Sequence, residues 1–219
     1  MYSVLFKFFP LNIDLSKFNG KNLNNTEYMF YMCVNLVSVN LLGINFEKVK
    51  SFAYMFYGCI KLTLIEINIE NAKNVENMEY MFERCLNINK INLSTRLIEK
   101  IVNKVINMRK LFYNCFELED VNLTLFNTEN VKDMSNMFYN CKKITNLNLS
   151  SFNTQNVINM NSIFYNCKKI TNLNLDKFNT ENVKDMSNMF YNCENITNFN
   201  LSSFNTQNII NMNSMFSKC

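Results

Sequence analysis

The sequence predicts an α/β solenoid with one short parallel strand and one short helix in each repeat unit. Three observations carry that reading. Cys33, Cys59, Cys85, Cys115, Cys141, Cys167, Cys193 and Cys219 stand at equal intervals, apart from one longer step between Cys85 and Cys115. The pair Met-Phe, or its variants Leu111-Phe112 and Ile163-Phe164, precedes every one of them at the same offset. Inside each unit the apolar spacing changes from two residues to about three. A fixed period of this length builds stacked units, each burying its apolar side against its neighbours, rather than one closed core.

The strand comes first in each unit. Leu147-x-Leu149, Leu173-x-Leu175 and Ile91-x-Leu93 alternate at period two, as a strand with one buried face does. A helix is expected next, because Val131, Met134, Met137, Phe138 and Cys141 are spaced by three, three, one and three residues. Thr128, Thr154, Thr180 and Thr206 stand just before that stripe and read as its N-caps. On this frame the units run 15–40, 41–66, 67–92, 93–122, 123–148, 149–174 and 175–200, with a partial unit at 201–219 and a capping segment at 1–14. Phe126 to Cys141 recurs letter for letter at Phe178 to Cys193, the mark of a duplicated two-unit block. Unit 93–122 carries four extra residues, and its apolar face continues through Leu97, Ile98, Ile101, Val102, Val105, Met108, Leu111 and Phe112, which predicts one longer helix there. Strands pack about 4.8 Å apart and helices about 10 Å, so the array is expected to bend with its strands on the concave side.

Composition excludes several function classes. The chain has no histidine, which removes the usual Ser-His-Asp and Cys-His sites, and three glycines with one proline leave no phosphate-cradling loop. The formal charge of +4 is spread along the chain rather than gathered in a stripe, so no nucleic-acid partner is expected. No run approaches the ~18 apolar residues of a membrane span. The apolar N-terminus, Met1 to Pro10, is short and lacks the pattern of a signal peptide, and the first cysteine, Cys33, lies inside a repeat. No cofactor and no metal site is expected, because the cysteines form no C-x-x-C and have no histidine beside them. Their fixed offset from the apolar stripe reads as reduced core thiols, with disulfides between coils as the alternative.

The motif Ile144-x-x-Leu147-x-Leu149-x-x-Phe152-Asn153, followed by Asn156-Val157-x-x-Met160-x-x-Ile163-Phe164-x-x-Cys167, resembles the BspA-type bacterial surface leucine-rich repeats, in particular the ~25-residue variety of mycoplasma lipoproteins. The resemblance covers residues 15 to 219 and implies a leucine-rich-repeat-like solenoid, a cell-surface or secreted location and a role in adhesion without a catalytic site. A cytoplasmic location is the alternative, since the chain shows neither a signal peptide nor a lipid-anchor cysteine.

Two polar ladders follow from the repeat. Asn19, Asn45, Asn71, Asn127, Asn153, Asn179 and Asn205 share one position after the strand and are expected to satisfy backbone groups of a turn. Asn146, Asn148, Ser150, Asn172, Asn174, Asn198, Asn200 and Ser202 alternate with the buried leucines and form the candidate partner-binding concave face. Of six sequons, at Asn24, Asn92, Asn122, Asn148, Asn195 and Asn200, four fall on or beside that face. The tyrosines that follow the buried Phe, such as Tyr139 and Tyr165, read as half-buried spacers. The function expected is a non-enzymatic binding or adhesion protein that offers an extended surface to a protein or cell-surface macromolecule. An intracellular protein-interaction scaffold of the same fold is the alternative. The apolar stripe of Ile209, Met212, Met215 and Phe216 in the last unit predicts self-association through the C-terminal coil.

Overall fold

The computed structural model of the 219-residue chain describes residues 10–69, 71–94, 104–124 and 126–219. The described residues form a parallel five-stranded sheet in chain order: β1 (Leu11–Asp14), which lies in the expected capping segment, β2 (Leu36–Asn40), β3 (Leu64–Asn68), β4 (Lys90–Ser94) and β5 (Asp120–Val121). The later coils, for which the sequence predicts a strand each, carry none among the described residues. Equivalent residues pair in register, as in Val39↔Ile65, Ile67↔Leu93 and Ile91↔Val121. The expected alternation is present in β3, where Leu64 and Glu66 are exposed and Ile65 and Ile67 are buried. Beyond β5 the ladder lapses. Asn146 pairs with Asn172 through one isolated parallel bridge, and among the described residues no backbone hydrogen bond joins 119–124 to 145–150.

The second element departs from the sequence reading, because no described residue is helical. Where a short helix per coil was expected, tight turns follow one another. In the coil of Phe138, Met137 N donates to Met134 O (3.3 Å), Tyr139 N to Asn136 O (3.2 Å) and Cys141 N to Phe138 O (3.1 Å). Asn136 and Asn140 hold φ of 58° and 60°. A right-handed helix cannot pass through left-handed residues four apart, whereas asparagine enters that region readily. The amides between these turns point along the array instead: Met134, Asn136, Phe138 and Asn140 donate to the carbonyls of Asn159, Asn161, Ile163 and Tyr165 in the next coil, at 2.8 to 3.1 Å. Turns that each advance three residues bring Met134, Met137 and Cys141 to one buried side, as a helix would, so the apolar spacing fits both.

The threonines are not helix caps. Thr154 Oγ1 donates to Asn179 O (2.8 Å) and accepts from Asn179 N (2.8 Å), and Thr128 makes the same pair with Asn153. Thr180 donates to Asn205 O, and Thr206 is exposed. The longer helix predicted in unit 93–122 falls at Leu97, Ile98, Ile101 and Val102 outside the described residues. Val105, Met108, Leu111 and Phe112 are described and buried, in the same turns as their counterparts elsewhere. The expected bend toward a concave strand face also loses its cause. Phe30, Phe56, Phe82, Phe112, Phe138, Phe164, Phe190 and Phe216 stack at 5.2 to 5.9 Å between neighbouring rings, so the turn side steps by nearly the strand spacing.

The core lies between the strands and the turns as continuous columns of like residues. Leu149, Phe152, Val157, Met160, Phe164 and Cys167 are buried, with Leu147 at its margin. All eight cysteines are free thiols. From Cys59 onward each donates its S–H to the carbonyl of the phenylalanine one coil back, as Cys167 Sγ does to Phe138 O (3.1 Å). Among the described residues no cluster of acids and cysteines could hold a metal ion.

Candidate binding surface

The outward positions of the later coils are exposed as the alternation predicts, although no strand forms there and only Asn146 and Asn172 bridge. Asn146, Asn148, Ser150, Asn172, Asn174, Asn198, Asn200 and Ser202 are all exposed, while Leu149 and Leu175 between them are buried. They lie on one face because they recur at equivalent places in successive coils and Asn146 bridges Asn172. Toward the N-terminus the same face carries Leu42, Leu64, Glu66, Lys90 and Asp120, with Lys90 Nζ 3.5 Å from Asp120 Oδ2.

The asparagines of the face are not free amides. Asn148 Oδ1 accepts from Ser150 N (3.1 Å) and Ser150 Oγ (2.6 Å), and Asn174 Oδ1 accepts from Asp176 N (2.9 Å). Asn200 Oδ1 accepts from Ser202 N, and its Nδ2 donates to Asp176 Oδ1 (2.8 Å). Asn122, one coil earlier than Asn148, makes the same turn with Thr124 N and Oγ1. Such Asx turns hold the loop at the strand end. The Asn19, Asn45, Asn127, Asn153, Asn179 and Asn205 column forms a second series, each accepting from the amide two residues on.

The structure adds two positions that the sequence reading left out. A groove of about 500 Å³ opens where the strand ladder lapses, lined by Lys90, Asp120, Asn122, Thr124, Asn146 and Asn148. Asn122 and Thr124 carried a signal in the sequence: Asn122-Leu-Thr124 has the pattern of Asn148-Leu-Ser150 and Asn200-Leu-Ser202. These sequon-like triplets are the Asx turns themselves.

The turn side presents other chemistry. Tyr113, Tyr139, Tyr165 and Tyr191 stack at 4.3 to 4.5 Å as half-buried spacers, and Tyr28, Tyr54 and Tyr80 form a second stack at 4.6 to 4.9 Å. Asn140 Nδ2 donates to Asn114 Oδ1 and Asn192 Nδ2 to Asn166 Oδ1, so these amides are spent within the array. In the last coil Ile210, Met212 and Phe216 are exposed, whereas Met215 is buried.

Parallel coils and in-register strands define a repeat solenoid of leucine-rich-repeat type. The chain belongs to the family described as Mycoplasma protein of unknown function, DUF285, whose pattern matches residues 1–120 and 106–219. Among solved structures it is similar to the leucine-rich repeat protein of T. pallidum, at 22% identity and a TM-score of 0.45, over 68% of this chain and 60% of that one. A leucine-rich repeat protein from Bacteroides ovatus is similar at 19% identity and a TM-score of 0.44, over 88% of this chain and 55% of that one. This chain therefore spans less than two thirds of either neighbour. No curated protein matches it. No described helix is long and apolar enough to cross a membrane.

Proposed function

We propose that the protein is a non-enzymatic binding protein of the cell surface whose strand face, from the Lys90–Asp120 groove to Ser202, receives a macromolecular partner. The observation that carries this reading is the division of labour in every coil. The turn side spends its amides and carbonyls on neighbouring coils, whereas the strand side from Asn122 onward keeps exposed polar groups in a regular row. Extended repeat faces of this kind serve as partner surfaces. The resemblance of the repeat to BspA-type surface repeats supports the cell surface, with an intracellular scaffold of the same fold as the alternative. The exposed Ile210, Met212 and Phe216 add a second contact, through which two copies of the 219-residue chain associate.

Blocking substitutions test the main reading. Asn146→Trp with Asn172→Trp fills the face without touching the core, and should abolish adhesion of protein-coated beads to host-cell or bacterial surfaces. Gln155→Trp, an exposed position off the strand face, should leave it intact. Equal loss from both variants, or from neither, would remove the strand face from the function.

A further inference from the structure

We infer that Asn122, Asn148 and Asn174 form a row of hydrogen-bond donors that binds the main-chain carbonyls of an extended polypeptide; this deepens the strand-face reading above and rests on it. Three observations place the row. The side-chain Oδ1 of each residue is held by its Asx turn, accepting from the amide of Thr124, Ser150 and Asp176 respectively. That assignment leaves no freedom to flip the amide, because a backbone N–H must meet an oxygen. The Nδ2 groups therefore point away from the turn, and among the described residues none of the three has an acceptor. The three residues hold equivalent positions in consecutive coils, and the first two line the groove of about 500 Å³ at the lapse in the strand ladder.

A row that offers donors with its own acceptors turned inward discriminates by polarity. An identical row laid against it would set donor against donor, so the row does not pair with itself. Polyanions meet the exposed Asp176, which opposes them, and at the groove find Lys90 already paired with Asp120. A neutral chain of carbonyls meets neither penalty, and its N–H groups find acceptors in those same two carboxylates. Farther along the face Leu42 and Leu64 are exposed, at 44% and 46%, and give apolar side chains a seat. Among the described residues no outward strand position is aromatic, so the face lacks the flat ring on which a sugar would stack.

The array itself supplies a substitution that removes the donor and spares the turn. Asp133 and Asp185 form the same Asx turn elsewhere, each accepting from the amide two residues on. Asn→Asp at 122, 148 and 174 thus keeps the fold and deletes Nδ2. The probe is a set of uncharged, end-capped dodecapeptides selected from a random display library on the 219-residue protein, with affinity read by calorimetry. Each single Asn→Asp change should weaken binding about fivefold, as loss of one neutral hydrogen bond does, and the triple variant by well over tenfold, with unchanged melting temperature. Asn153→Asp, an Asx position off the strand face, controls for added charge and should bind normally. Replacing one peptide amide by an ester, which weakens its carbonyl as an acceptor, should reproduce the loss of a single donor. Binding that survives the triple change but is lost on blocking with Asn146→Trp and Asn172→Trp would overturn the donor row while leaving the strand face standing. Failure to select any such peptide, or binding of neutral N-acetylated chito-oligosaccharides in their place, would overturn the polypeptide assignment.

Discussion

Glu83 occupies the position that holds Tyr31, Tyr57, Tyr113, Tyr139, Tyr165 and Tyr191 in other coils. Its carboxylate is buried, and Oε2 has no hydrogen-bond partner. Lys110 Nζ stands 3.9 Å from it and lies over the rings of Tyr80 and Tyr113 at 5.0 and 4.6 Å. Burial pushes the Glu83 carboxyl above its ordinary range, against the opposing pull of Lys110, Arg84 and Arg109. A raised folded-state pKa means that the native chain binds the proton more tightly than the unfolded one. Stability from this site is therefore present at acid pH and declines as pH rises through the folded pKa. Glu83→Gln should remove that decline, giving a variant more stable than the parent at neutral pH and equal to it in acid, read by urea denaturation at both. A less stable Gln variant at neutral pH would show that the ion pair with Lys110 outweighs the burial. The substitution was visible in the sequence as a break in the tyrosine column, but its burial was not, because only the packed neighbours decide how much water reaches Oε2.

Strands and turns differ in how far the sequence disclosed them. Period-two alternation marks a buried and an exposed side, and β4 lies where Ile91-x-Leu93 placed it. Leu147-x-Leu149 and Leu173-x-Leu175 alternate in the same way without forming strands, because only Asn146 and Asn172 bridge there. Spacing by three has two meanings, and what separates them is the left-handed backbone within each run of turns, held by Asn114, Asn136, Asn140, Asn166, Asn188 and Asn192 but equally by Tyr54, Tyr80, Lys110 and Ser162. Residue type alone therefore did not mark the position. The threonine ladder belongs to the same scale. Thr154 is fully buried and joins two coils through both its hydroxyl proton and its lone pair. Thr154→Val keeps the shape and strands Asn179 N and O without partners, which should cost about 1–3 kcal/mol, while Thr154→Ser should recover most of it. Equilibrium unfolding of the two variants measures this, and equal losses would show that the methyl group rather than the hydroxyl matters.

Across the whole molecule the thiols report on the array. Cys59, Cys85, Cys115, Cys141, Cys167 and Cys193 are fully buried, and desolvation raises the pKa of each, Cys193 to about 12. Cys33 is half-buried and Cys219 exposed. A thiolate is the reactive form, so a thiol reagent should modify two groups in the native protein and all eight after denaturation without reductant. Recovery of four or fewer would reveal bridges between coils. Because each coil contacts chiefly its neighbours, Phe164→Ala should open Cys141, Cys167 and Cys193 to the reagent before Cys59.

The sequence alone determined the period of the coil, the buried columns from Leu149 to Cys167 and the exposure of the outward asparagines, because a repeat imposes one environment on every copy of a position and periodicity reads that environment directly. Tertiary structure decided the rest. Whether side chains spaced by three wind into a helix or into successive turns depends on which carbonyl each amide reaches, and here the winning acceptors lie one coil away, as in Phe138 N to Ile163 O. The same holds for the face. The asparagines were legible as exposed, but which of their atoms remained to meet a partner was settled only when the Asx turns took the oxygens and left the nitrogens outside.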